Sequence, residues 1–73
     1  IEKVMHIIEN MPQQTATVFK KCFIERKKYQ EAGDELGISI NTVRWHITKA
    51  ISILREQMSD VEMILLYAFF LKK

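Results

Sequence analysis

Glycine, proline and cysteine are scarce in this chain. Its 73 residues include two glycines and one proline, which leaves little room for the hairpins and long loops of a β fold. The single cysteine, Cys22, cannot form an internal disulfide, so a reducing cytoplasm is the expected compartment. The longest apolar run, residues 63–71, is too short to span a bilayer. These absences favour a small all-α domain that works in the cytoplasm without a membrane.

The composition is that of one small globular domain. Apolar residues make up 48% of the sequence and charged residues 27%. The sequence begins with Ile1 rather than a methionine, so we expect it to be a piece of a longer protein. The net charge of +2 says little about partners, but the segment 20–49 holds seven basic residues against four acidic ones. Most of this basic excess lies in "ERKKY" and "TVRWHITKA".

Apolar residues recur at spacings of three and four, which predicts four or five helices. We expect Asn10 to cap the second helix, with Pro12 in its first turn. Gly37 is placed to end the third helix, and Ser39 is placed to cap the fourth. Ser59 begins a capping box, which predicts either a fifth helix or a kink in the fourth. The predicted helices cover residues 2–10, about 12–26, 29–36 and 39–58, with residues 59–73 as an apolar C-terminal segment.

The third and fourth helices form the central unit. Their connection, "LGIS", is so short that the fourth helix must turn sharply across the third, as in a helix-turn-helix over about residues 29–50. Close crossing requires a small residue in the third helix, and both Ala32 and Gly33 meet this need. Three apolar side chains would fill the angle between the helices: Leu36, Ile38 and Val43. An ordinary hairpin of two helices with a glycine turn is the alternative.

The fourth helix has a polar face opposite its apolar one. We measure the angle of each residue around the helix axis from Val43, adding about 100° per residue. Seven residues then lie on the half of the helix that faces away from the core. They are Asn41, Arg44, Trp45, Thr48, Lys49, Ser52 and Arg55. No acidic residue occurs on this helix before Glu56. Arginine can donate two hydrogen bonds to guanine, asparagine can pair with adenine, and threonine or an aromatic ring can contact a thymine methyl group. This face therefore suits the major groove of DNA. The alternative for Trp45 is that the C-terminal segment folds back over it.

With these residues in view, the chain resembles region 4 of a bacterial sigma factor of the extracytoplasmic-function subgroup. The stretches that carry the resemblance are "MPQQTATVF", "YQEAGDELGISINTV" and "ITKAISILRE". The resemblance implies an all-α domain of four to five helices, winged-helix-like but without a wing, that binds double-stranded promoter DNA at the −35 element. It also implies docking on the flap of the RNA polymerase β subunit and, as a further partner, an anti-sigma factor.

Helical phase and the resemblance together predict two sets of residues that contact DNA. The base-facing set is Asn41, Arg44, Trp45 and Thr48. The phosphate-binding set is Lys28, Tyr29, Ser39, Thr42 and Lys49. The chain departs from the family at several positions. Ala32 and Gly33 replace an isoleucine–alanine pair, which should loosen the third helix. "ERKKY" replaces a glycine-containing loop. The second basic base-reading position holds His46, so the promoter preference cannot be transferred.

Two other functions remain open. A LuxR-type output domain of a response regulator has a similar turn, but its last helix makes a dimer on paired half-sites. A protein-interaction module would instead work through the apolar segment 61–71, by self-association or by binding another protein. We therefore divide the chain into a helix-turn-helix domain, residues 1–58, and a C-terminal helix, residues 59–73, that packs on it or binds a partner. We expect no catalytic residues, no metal site and no cofactor, because His6, His46 and Cys22 lie on separate helices, with Cys22 at a core position.

Overall fold

The computed structural model describes the backbone of residues 2–71 and the side chains of residues 2–68. Five α-helices make up the described chain, which contains no strand. Their bounds are Glu2–Glu9 (α1), Gln13–Phe19 (α2), Tyr29–Leu36 (α3), Ile40–Gln57 (α4) and Asp60–Leu71 (α5). The predicted all-α fold with a central helix-turn-helix is confirmed.

A single core forms where α1, α2 and α4 meet. Phe19, Ile8 and Leu54 are its largest fully buried side chains, and each comes from a different helix. The ring of Phe19 stacks on that of Phe23 with centroids 4.5 Å apart. The apolar face predicted for α4 is confirmed, because Val43, Ile47 and Ala50 are all buried. Burying each large aliphatic side chain stabilises the fold by about 1.5–3 kcal/mol, so this small core fixes the direction of α4.

The start of α2 differs from the prediction. Asn10 does not cap α2, because its Nδ2 donates to the carbonyl oxygen of His6 at 2.8 Å and its backbone amide donates to Ile7. Both bonds belong to the last turn of α1. Pro12 is instead the residue before α2, and its carbonyl accepts from Ala16 at 2.9 Å. The prediction was wrong because an asparagine between two helices can cap either the end of the first or the start of the second, and Asn10 caps the end of α1.

The end of α2 widens into a π-helical segment, Lys20–Ile24. The amide of Glu25 donates to the carbonyl of Lys20 at 3.0 Å, five residues back. Arg26 then takes a left-handed backbone conformation with φ of 60°. The resemblance implies a glycine in this loop, and a left-handed non-glycine residue costs about 1–2 kcal/mol. This chain reverses direction here with Arg26 and without a glycine.

The turn between α3 and α4 follows the prediction closely. Gly37 ends α3 with φ of 70°, and the amide of Ile38 donates to the carbonyl of Gly33 at 3.0 Å. A Cβ atom on Gly33 would lie 2.7 Å from the carbonyl oxygen of Ile38. The glycine therefore brings the turn closer to α3 than alanine could, and α3 remains continuous from Tyr29 to Leu36.

The C-terminal segment is a separate helix and not a kink in α4. The amide of Ser59 donates to Glu62 Oε1 at 2.8 Å, and the amide of Glu62 donates to Ser59 Oγ at 3.2 Å, which confirms the predicted capping box. The Glu62 carboxylate also pairs with Lys3 of α1 at 2.9 Å. Met63 and Leu66 of α5 lie in the core. Among the described residues, no helix combines the length and apolar character that crossing a bilayer requires.

Candidate nucleic-acid interface

The N-terminus of α4 is fixed by two hydroxyl groups. Ser39 Oγ accepts from the amide of Thr42 at 3.1 Å, as predicted for a cap, and shares a hydrogen bond with Thr42 Oγ1 at 3.0 Å. The first-turn amides of a helix carry a partial positive charge that favours a bound anion. No acidic residue lies in this turn to oppose it. The start of α4 is therefore suited to a phosphate group, and Ser39 is exposed beside it.

The four side chains predicted to face bases lie together on the exposed side of α4. Asn41, Arg44 and Thr48 are exposed, and Trp45 exposes 58% of its surface. The buried residues of α4 occupy the opposite side of the helix. The structure thus brings the predicted base-facing set onto one rigid surface, which we call the α4 outer face (Asn41, Arg44, Trp45 and Thr48).

Trp45 has two neighbours on its own helix. The ammonium nitrogen of Lys49 lies 5.4 Å from the centroid of the indole ring, which is a cation–π distance. The ring of His46 meets the indole edge-on, with centroids 4.9 Å apart and an interplanar angle of 85°. These contacts hold the indole against α4 and leave more than half of it in solvent.

The C-terminal helix does not explain why Trp45 is on the surface. α5 follows the other end of α4, and it lines a groove with Arg55 and Met58. Arg55 is ten residues beyond Trp45 on α4, which is about 15 Å along a helix. The expectation that the C-terminal segment covers Trp45 therefore finds no support in the described residues, and the exposed fraction of the indole is available to a ligand.

His46 lies on the core side of α4, contrary to the base-reading position that the resemblance implies. Its exposed fraction is 7%, and its Nδ1 is hydrogen bonded to the hydroxyl oxygen of Thr15, a buried residue of α2, at 2.9 Å. Helical phase puts His46 only about 60° from the buried Val43. The sequence therefore indicated, through helical phase, that His46 lies near the core. It did not identify Thr15 as the hydrogen-bond partner of His46, because the two residues are 31 positions apart.

The predicted phosphate-binding residues lie at the start of α3, at the start of α4 and, in the case of Lys49, within α4. Lys28 and Tyr29 lie at the start of α3, where the amide of Lys28 donates to Glu31 Oε1 at 2.9 Å. Burial raises the pKa of the Tyr29 hydroxyl, and the positive charge of Arg44 acts in the opposite direction. Lys49, the remaining cation of the set, is half-buried.

Two further basic residues, Lys21 and Lys27, share a single carboxylate. The Glu35 carboxylate pairs with Lys21 and with Lys27, each at 2.9 Å. Hydrogen bonds from the two lysines lower the pKa of Glu35, and the bond to Glu35 raises the pKa of Lys27. This pairing involves Lys27 among the basic residues of "ERKKY", so Lys27 contributes less to an anion site than the composition of that segment indicates.

Comparison with known proteins agrees with this architecture. The family described as Sigma-70, region 4, matches residues 1–54, which is more than half of the chain. No curated protein and no solved structure shows significant similarity to the chain. The match favours the sigma interpretation over the LuxR-type alternative, and the family is a DNA-binding one and not a catalytic one. The chain belongs to the sigma-70 region 4 family and is a helix-turn-helix domain for DNA binding in transcription initiation.

Proposed function

We propose that this domain recognises the −35 element of a promoter by placing α4 in the major groove. The observation that carries the proposal is the α4 outer face, which presents an amide, a guanidinium, an indole and a hydroxyl from a single capped helix. No carboxylate occurs on α4 before Glu56 to repel the DNA backbone. The groove of B-DNA admits one α-helix, and its base edges match these four chemical groups.

Each base-facing residue has a distinct part in the proposal. Arg44 donates to guanine, and Asn41 pairs with adenine when the helix enters far enough for its short side chain to reach. Trp45 presses its exposed indole against a thymine methyl group, with Thr48 one turn away on the same surface. Because the indole is bulky and held by His46, Trp45 makes the fit depend on base shape as well as on hydrogen bonding.

Phosphate contacts supply most of the affinity. Ser39 and Thr42 present hydroxyls at the start of α4, and Lys28 and Tyr29 flank them from α3. Before DNA binds, the ammonium group of Lys49 lies over the indole ring of Trp45. An exposed cation–π contact contributes only about 0.5–1 kcal/mol. Lys49 can therefore leave the ring for a phosphate, where release of counterions gives a larger and salt-dependent gain.

The remaining partners follow from membership of the family. The domain acts in the cytoplasm as part of RNA polymerase, docked on the flap of the β subunit, and an anti-sigma factor is a further partner. In this proposal residues 1–58 form the DNA-binding unit. Residues 59–73 contain α5, which completes the core and carries a separate contact surface.

Selection of bound sequences from random DNA tests the proposal. The selection is run with the 73-residue chain and again with RNA polymerase core present. A single asymmetric element, enriched in both experiments, is the expected result. Enrichment of a palindromic pair would support the LuxR-type mode, and no enrichment under either condition would contradict sequence-specific binding. Arg55→Ala is the matched control for Arg44→Ala, since both arginines are exposed on α4 but Arg55 lies eleven residues farther along, beside the groove with α5.

A further inference from the structure

Trp45 projects from a helix surface that offers it little rigid support. The positions one turn before and after it on α4 hold Asn41, Thr42, Thr48 and Lys49. Three of these have short polar side chains, and the fourth has a long flexible one. An exposed side chain in such surroundings exchanges between rotamers on the picosecond to nanosecond timescale. A fixed position of the indole therefore requires a further contact.

The ring of His46 supplies that contact. It meets the indole edge-on, with centroids 4.9 Å apart and an interplanar angle of 85°. Edge-to-face packing is a preferred geometry for two aromatic rings. Adjacent side chains on a helix diverge by about 100°, so a ring contact between Trp45 and His46 restricts the directions that the indole can take.

The ring of His46 is itself fixed from below. Its exposed fraction is 7%, and its Nδ1 is hydrogen bonded to Thr15 Oγ1 at 2.9 Å. Thr15 is 1% exposed and belongs to α2, which packs against α4. A hydrogen bond to a buried hydroxyl on a second helix defines the orientation of the imidazole ring. Thr15, His46 and Trp45 thus form a continuous series of contacts from the core to the α4 outer face.

We propose that Thr15 and His46 are positioning residues for DNA recognition, which hold the indole of Trp45 in the orientation that contacts a base. The inference rests on the proposed function, in which α4 lies in the major groove. Neither residue touches DNA itself, because both are buried inside the domain. They nevertheless determine how strongly the domain prefers one base at the position that Trp45 contacts.

The size of this effect follows from the ordering of one side chain. If the indole is mobile in the free protein, it must be ordered when it contacts its base, which lowers affinity about two- to tenfold. A mismatched base that makes no contact with the indole carries no such penalty. Loss of the Thr15–His46 bond should therefore weaken the preference at one base position. The salt dependence of binding, which comes from phosphate contacts, should not change.

Fluorescence measures the position of the indole without DNA, because Trp45 is the one tryptophan in the sequence. Time-resolved anisotropy separates motion of the indole from tumbling of the whole domain. Thr15→Val, which removes the hydroxyl, should raise the amplitude of the fast motion about twofold. Thr15→Ser is the matched control, since it keeps the hydroxyl and should behave as the wild type. Far-UV circular dichroism checks that each variant is folded.

A double variant separates positioning from stability. Thr15→Val alone leaves His46 Nδ1 buried without its partner, so it also destabilises the domain. Thr15→Val combined with His46→Leu removes both polar groups, and apolar replacement of both partners of a buried hydrogen bond is nearly neutral for stability. The double variant should therefore be about as stable as the wild type, yet its indole should be as mobile as in Thr15→Val. Fast motion at the wild-type amplitude in both variants would overturn the proposal.

Selection from random DNA then locates the effect on recognition. The base position that Trp45 contacts is the one at which Trp45→Ala abolishes the preference. The double variant should lose about two- to tenfold of the preference at that position and keep the preference that Arg44 confers.

Three results of the selection would overturn the positioning role and leave the proposed DNA binding standing. They are an unchanged preference in the double variant, an equal loss at every position, and no loss at any position in Trp45→Ala. Absence of any enriched sequence with the wild type would instead contradict the proposed function and this inference together.

Discussion

The hydroxyl oxygen of Thr15 lies 2.9 Å from Nδ1 of His46, and this buried hydrogen bond joins α2 to α4. His46 is adjacent in sequence to Trp45, and the two rings are in edge-to-face contact. The α4 outer face is therefore connected to the core by the Thr15–His46 hydrogen bond as well as by apolar packing. A buried polar group stabilises the fold only while its partner is present, which makes this pair a sensitive point of the structure.

Removal of the Thr15 hydroxyl should destabilise the domain. Thr15→Val keeps the shape of the side chain but leaves His46 Nδ1 buried without its partner, at a cost of about 1–3 kcal/mol. Thr15→Ser keeps the hydroxyl and loses one methyl group, so it should cost about 0.8 kcal/mol. Urea unfolding measures both variants. Equal losses in the two would show that the hydrogen bond contributes nothing.

Gly33→Ala should destabilise the domain although alanine favours helices. The better helix propensity of alanine is worth about 1 kcal/mol. The added Cβ, however, would lie 2.7 Å from the backbone oxygen of Ile38, which cannot move without displacing the turn. Overpacking of this kind costs about 1–3 kcal/mol, so a net loss of about 1 kcal/mol is expected. A rise in the thermal unfolding midpoint of Gly33→Ala would contradict this, because it would mean that the turn moves to accommodate the Cβ atom at little cost.

Substitutions of Ser39 should separate its cap role from its phosphate role. Ser39→Ala removes the bond to the amide of Thr42 and should cost about 1 kcal/mol of stability. Ser39→Asp keeps a cap of similar strength but adds a negative charge where a phosphate is expected. Its stability should stay within about 0.5 kcal/mol of the wild type while DNA affinity falls about tenfold. Unimpaired DNA binding by Ser39→Asp would remove Ser39 from the phosphate-binding set.

The charge of Glu62 should make stability depend on pH. The hydrogen bond from the backbone of Ser59, together with that from Lys3, lowers the pKa of the Glu62 carboxyl below 4.5. Because the folded-state pKa is the lower one, the stabilisation is present above pH 4.5 and is lost as the pH falls through the folded-state value. Glu62→Gln keeps a capping-box acceptor without the charge.

Thermal unfolding from neutral to acid pH compares the wild type with Glu62→Gln. The wild type should be more stable at neutral pH, and the two curves should converge at acid pH. A difference that is the same at every pH would assign the effect to hydrogen bonding and not to charge. The carboxylate is exposed, so high salt should also reduce the difference.

Local spacing was enough to predict the parts of the fold that depend on one helix at a time. The two faces of α4, the cap at Ser39, the left-handed Gly37 and the capping box at Ser59 all follow from residues within one or two turns of each other. The exposure of Trp45 followed from helical phase in the same way.

Features that depend on distant segments could not be predicted. The partner of His46 is on another helix, and the tight contact of Gly33 becomes visible only when the turn is built. Asn10 could have capped either the end of α1 or the start of α2, and in the structure its side chain is hydrogen bonded to the last turn of α1. The apolar residues of α5 lie on every side of the helix, so only packing against the core decides which of them are exposed.

The base-reading role of the α4 outer face is tested most directly by binding selected DNA to the wild type, Arg44→Ala and Lys49→Ala at several salt concentrations. Arg44→Ala should lose about 1–3 kcal/mol of binding free energy and relax base preference at one position. Lys49→Ala should weaken all sequences about equally and lower the slope of log affinity against log salt by about one. Unchanged affinity and preference in Arg44→Ala would show that this face does not read DNA.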